Sequence, residues 1–102
     1  MLLKTVLPDI SAEIARGFLL EGRPDLAAQV DVLELVDRCR CGDDFCATFY
    51  TQPNESWEGK KVKRFILEMK GLLCLHCVDG VVARVEMLNR PDLRDRLRAL
   101  LP

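Results

Sequence analysis

The chain has 102 residues, about half of them apolar and nearly a third charged, with 15 basic against 16 acidic side chains. That length suits a single domain over residues 1–102, able to bury one core without staples. A near-zero net charge, with no Lys/Arg run interleaved with aromatics, excludes a general nucleic-acid binder, and no apolar run approaches the length of a membrane span.

"MLLKTVL" has one Lys and too short an apolar run for the core of a signal peptide. The chain therefore reads as cytoplasmic, a compartment that keeps thiols reduced. An odd count of five cysteines argues further against a disulfide framework.

The first third reads as helical. Pro8 and Pro24 suit the first turns of two helices, where a missing N–H costs little. Ile10, Ile14 and Phe18 form a stripe at i, i+4 and i+8 that faces a core, and Gly22 stops the first helix. "RPDLAAQVDVL" keeps Leu26, Ala27 and Val30 on one side of a second helix, too short to persist without packing. Around Leu33 the period changes: Leu33, Leu35, Asp37 and Cys39 alternate with Glu34, Val36, Arg38 and Arg40, as in a strand. "GDDF" has the Gly and Asp content of a turn, and "CATFYT" is a β-prone return strand.

A polar loop, "QPNESWEGKK", holds Pro53, Asn54, Trp57 and Gly59. The basic cluster that follows its tip, Lys60, Lys61, Lys63 and Arg64, reads as the solvated start of a strand. Three apolar runs follow, "VKRFILEM", "LLCLHCV" and "VVARVEML". Pro91 then opens a last helix with Leu93, Leu97, Leu100 and Leu101 as its apolar stripe. Its early Asp92 and later Arg96 and Arg98 suit the helix dipole. The order predicts an α+β fold: a five-stranded, meander-like antiparallel sheet with two N-terminal helices and one C-terminal helix.

Asp79-Gly80 between apolar runs predicts a two-residue hairpin. An unbroken register pairs Val78 with Val81, His76 with Ala83, Cys74 with Val85 and Leu72 with Met87. Cross-strand partners share a face, so this set is expected to meet the helices. The opposite face then carries Leu73, Leu75, Cys77, Val82, Arg84 and Glu86. There Leu73, Leu75 and Val82 make an outer apolar patch that, with an exposed Trp57, can take a protein partner or a second copy. The alternative for Trp57 is a ring folded back over the core.

The segment "DRCRCGDDFCATFYT" packs three of the five cysteines into eight positions. With "GDDF" as a hairpin loop, Cys41 pairs with Cys46 and Cys39 with Thr48. All three thiols then share a face, neighbouring Cβ atoms being roughly 5–7 Å apart. Three such thiolates can begin a tetrahedral zinc site, with His76, the one histidine, as the fourth ligand. Arg38 and Arg40 can lower a nearby thiol pKa, which also admits thiol redox chemistry. Small residues packed in a sheet are the plain alternative. "CLHC" is different, because Cys74 and Cys77, three apart on a strand, point to opposite faces. Asp43 and Asp44 suit a turn better than a catalytic carboxylate pair. No nucleophile elbow, phosphate-binding glycine loop or His-Glu metal motif is present.

"RCRCGDDFCATFYT" and "GLLCLHCVDGVVARVEMLNRPDLRDRL" together resemble a group of small uncharacterised bacterial proteins. That group has a C-x-C-G-x-x-x-C segment, an aromatic strand and a D-G hairpin running into V-E-x-L-x-R-P. The likeness covers the last two thirds of the chain. It implies a bacterial setting and assigns no catalytic residue. Members carry a histidine in the loop before the third strand, where this chain has "SWEGKKVKR".

The sequence thus leads to a non-enzymatic binding or interaction module with no cofactor, no nucleic acid and no membrane. The alternative is a small zinc or thiol-redox protein centred on Cys39, Cys41 and Cys46.

Overall fold

The computed structural model describes residues 1–53, 55–68 and 71–102; Asn54 and Met69, placed above in the polar loop and in the first apolar run, lie outside the described residues. A short turn, α1 (Leu3–Val6), precedes the two expected helices, α2 (Pro8–Leu20) and α3 (Pro24–Gln29), and α4 (Pro91–Leu100) closes the chain. Proline occupies the first turn of α2, α3 and α4. The α2 stripe Ile10, Ile14 and Phe18 is fully buried. Two bidentate ion pairs tie α2 to the last segment: Arg90 to Glu13 at 2.8 and 3.1 Å, and Arg96 to Asp9 at 2.7 and 2.8 Å. No helix among the described residues is long and apolar enough to cross a membrane.

The five strands are β1 (Asp37–Arg38), β2 (Phe49–Tyr50), β3 (Val62–Glu68), β4 (Leu72–Val78) and β5 (Val81–Leu88). They form one antiparallel sheet in the order β1-β2-β5-β4-β3. The α+β class and the five strands match the reading from sequence, but the path is not a simple meander. β5 lies between β2 and β4, so the loop after β2 must cross the sheet before β3 adds at the far edge. The first predicted strand is also shorter than expected. Residues Leu33 and Leu35 instead pair with the N-terminus, through Leu3 N–H to Leu33 O at 2.9 Å and Leu35 N–H to Met1 O at 2.7 Å.

Asp79 and Gly80 both have positive φ, 51° and 79°, as a type I′ hairpin requires. Val78 pairs with Val81 as expected. One step further the predicted register fails. Cys77 pairs with Val82, but His76 pairs with Arg84, so Ala83 is an extra residue: a β-bulge. Thr51 holds it there, donating its N–H to Ala83 O at 2.9 Å and its hydroxyl to Val82 O at 2.7 Å.

The bulge exchanges the faces of β5 beyond it, so that Val85 and Met87 share a face with Leu73 and Leu75. Leu73, Leu75, Cys77, Val82, Val85 and Met87 lie together in the core under the helices. A Cβ on Gly17 of α2 would approach Leu67, Leu73 and Leu75 side chains, the first at 2.7 Å, which shows how closely that helix lies on this face. Leu73, Leu75 and Val82, expected as an outer patch, are therefore core residues, each at most 1% exposed. Cys74 and His76 take the face without helices, along with Arg84 and Glu86.

This register predicts that Leu75→Ala destabilises the protein by about 2–5 kcal/mol, the usual cost of a cavity at a fully buried leucine. Leu72→Ala, at a position 38% exposed, is expected to cost less than about 1 kcal/mol. Urea unfolding of both variants checks the pair, and the reverse ranking would restore the unbulged pairing.

Candidate metal centre

The link between β1 and β2 carries Cys39, Cys41 and Cys46. It begins as predicted, with Cys39 N–H donating to Thr48 O at 2.9 Å. Asp43 then shapes the turn: its carboxylate accepts the Phe45 N–H at 2.9 Å, and its carbonyl accepts the Cys46 N–H at 3.2 Å. Cys46 does not pair with Cys41 across this turn but forms an isolated bridge to Leu88, at the end of β5. From α4, Arg94 donates to the Asp44 carbonyl at 3.0 Å, so the last helix fixes the turn from outside. Asp43 and Asp44 are turn residues here, as their types suggest.

These constraints bring the sulfur atoms of Cys39, Cys41 and Cys46 within 4.8 Å of one another. Bonds of about 2.3 Å to a tetrahedral zinc ion require sulfurs about 3.8 Å apart, so a small rotamer adjustment suffices. A cleft of about 20 Å³ lies among them, lined also by Arg38, Arg94 and Arg98. That is room for one water-sized body. Cys41 is exposed, and Cys39 and Cys46 are half-buried.

The thiols differ in ease of ionisation. The Cys41 thiol is shifted down, first by the backbone N–H of Asp43 directed at its sulfur and then by the Cys39 and Cys46 thiols. Gly42, at φ +78°, lets the chain turn back so that this N–H reaches the sulfur. Burial is the main cause that pushes the Cys39 thiol up to about 11. A metal ion would replace those protons, because the thiolate is the ligand. The neighbouring guanidinium groups offset the negative charge of the resulting thiolates.

His76 is not brought to this cluster. One of its ring nitrogens lies with the Cys74 sulfur and a Glu86 carboxylate oxygen, in a second group whose atoms are within 4.8 Å of one another. The imidazole pKa is lowered, by burial first and then by the Arg84 charge. The Cys74 thiol is pushed up by burial and by Glu86. Cys77, on the opposite face as predicted, is raised to about 11 by burial in the core. Trp57 folds back over this outer group, its ring centroid 5.6 Å from that of His76 and 4.6 Å from the Arg84 guanidinium carbon. Reading the sequence alone missed Glu86 and Arg84 as neighbours of His76, since an unbulged register puts them on the other face. The signal available was the charged pair itself, set in an otherwise apolar strand.

Among the five thiols, Cys41 is expected to react fastest with iodoacetamide, being the exposed one with the lowered pKa. Cys77 is expected to react last. Timed alkylation read by peptide mass checks the order, and equal rates would show that the loop does not hold this geometry. Compared with protein-family models, curated proteins and solved structures, the chain matches none of them.

Proposed function

We propose that the protein is a small non-enzymatic binding module whose ligand is a thiophilic metal ion, zinc or copper(I), held by Cys39, Cys41 and Cys46. The observation that supports this reading is the convergence of these sulfurs in a cleft of ion size. Thiolates favour zinc and copper(I) over harder ions. Three protein sulfurs complete a trigonal copper(I) site, or leave a zinc ion one position for water or an incoming ligand. Such a site binds and passes on an ion more readily than a closed four-ligand centre. Three arginines around it keep the loaded cluster from carrying an unbalanced charge.

Under reductant, the cluster is expected to take up one zinc or cobalt(II) ion, with a thiolate-to-cobalt charge-transfer band. Cys41→Ser should weaken binding by at least roughly tenfold, and Cys77→Ser, in the core, should leave the ion count unchanged. Titration followed by native mass spectrometry reads both. Absence of any thiolate-to-metal band in a folded, fully reduced protein would retire the reading.

A second reading, docking of another copy of the chain, is favoured by a different observation. Ile66, Leu72 and Leu88 are 64%, 38% and 37% exposed, and cross-strand pairing places them side by side on the outer face. If that strip forms a dimer, Ile66→Glu is expected to shift the light-scattering mass from two chains to one. A native protein that is monomeric at every concentration would dismiss it.

A further inference from the structure

The outer group has features that the cysteine cluster does not explain. His76 lies across from Arg64 on β3 and from Arg84 on β5, and Cys74 lies across from Ile66 and Glu86. Being two apart on one strand, Cys74 and His76 share a face. The Cys74 sulfur is 3.8 Å from Nε2 and 4.0 Å from Nδ1 of His76. A tetrahedral ion with bonds of about 2.3 Å to sulfur and 2.0 Å to nitrogen needs those atoms about 3.5 Å apart. The Glu86 carboxylate completes a set of one sulfur, one nitrogen and one oxygen.

Two guanidinium groups bear on this group, Arg64 from β3 and Arg84 from β5, and Arg84 is the one in contact with His76. Its Nη2 is 3.3 Å from the Glu86 carboxylate and 3.4 Å from His76 Nε2. This is loose bonding for a guanidinium. Its Nε is buried and has no hydrogen-bond partner among the described residues. Arg84 thus holds the position at the cost of an unmet donor, which it would recover in water on swinging out.

We propose that Cys74, His76 and Glu86 form a second, separate site for a borderline divalent cation of the zinc class, and that Arg84 is the resident counter-cation displaced when the ion binds. Trp57 covers the group, so the ion enters as the ring and the Arg84 side chain move together. A thiol–imidazole nucleophile is the rival use of the same pair. In the closed arrangement Cys74 and His76 are only 6% and 3% exposed, so a substrate carbonyl does not reach the sulfur. An ion needs no such cleft.

The inference goes beyond the three-cysteine reading and does not depend on it. Cobalt(II) is titrated into the reduced full-length protein and into Cys39→Ser/Cys41→Ser/Cys46→Ser, with visible absorption, native mass and Trp57 fluorescence followed together. The triple variant is expected to bind one ion, with tetrahedral bands and a fluorescence change, and to lose it on adding His76→Ala. Arg84→Gln should tighten that binding by roughly tenfold or more, because a competing positive charge is removed; a bound anion would instead be lost. Should the triple variant not fold, the single variants decide. An ion lost with His76→Ala but kept with Cys41→Ser supports this site even if the first site fails. If every bound ion is lost with Cys41→Ser and none with His76→Ala, the second site is overturned. It is overturned equally if folded Arg84→Gln protein binds nothing at His76.

Discussion

The extra residue at Ala83 is the constraint on which the arrangement of this protein depends. A strand alternates its side chains strictly, so one inserted residue reverses every later assignment of face. Thr51 supplies the reason the insertion is stable. It takes both the Val82 and the Ala83 carbonyls, the first through its hydroxyl and the second through its N–H. Beyond the bulge, Val85 and Met87 rejoin Leu73 and Leu75 in the dry layer. His76, Arg84 and Glu86 are left together with Cys74 on the other side.

Strand order adds to this. Because β5 lies between β2 and β4, the polar loop must pass across the sheet to reach β3 at the edge. The chain is received at the hairpin tip, where Asp79 N–H donates to Lys61 O at 2.8 Å and Lys61 N–H to the Asp79 carboxylate at 3.0 Å. Trp57 is carried over the outer face on the way, against Arg84 and His76. The ring is thus a lid placed by topology, and it is why a histidine on the helix-free side of the sheet is buried. At the other end of the sheet, α4 lends Arg94 and Arg98 to the cysteine turn. The two groups of potential ligands therefore have different supports: a helix and a turn for one, a strand pair and a loop for the other.

Much of the local structure was legible in the residues. The prolines marked helix starts, Ile10, Ile14 and Phe18 marked the face of α2, and Asp79-Gly80 marked the hairpin. Convergence of Cys39, Cys41 and Cys46 was legible too, because a short turn between extended segments leaves few other arrangements. The predicted pairing of Cys41 with Cys46 was not observed, yet the sulfurs still meet, since Cys46 is held by the Asp43 carbonyl and by Leu88. His76, expected beside these three cysteines, lies instead with Cys74 and Glu86.

Apart from α1 and the segment around Leu33, the sequence by itself determined which segments are helix, strand and turn, because those choices follow from proline, glycine and the spacing of apolar side chains over a few residues. It also determined that Cys74 and Cys77 part company, since strand alternation is a local rule. Only the tertiary structure decided which of them faces the core. That choice depends on Thr51 meeting the carbonyls of Val82 and Ala83, thirty or so residues further along the chain, and no local pattern encodes a contact between residues so far apart.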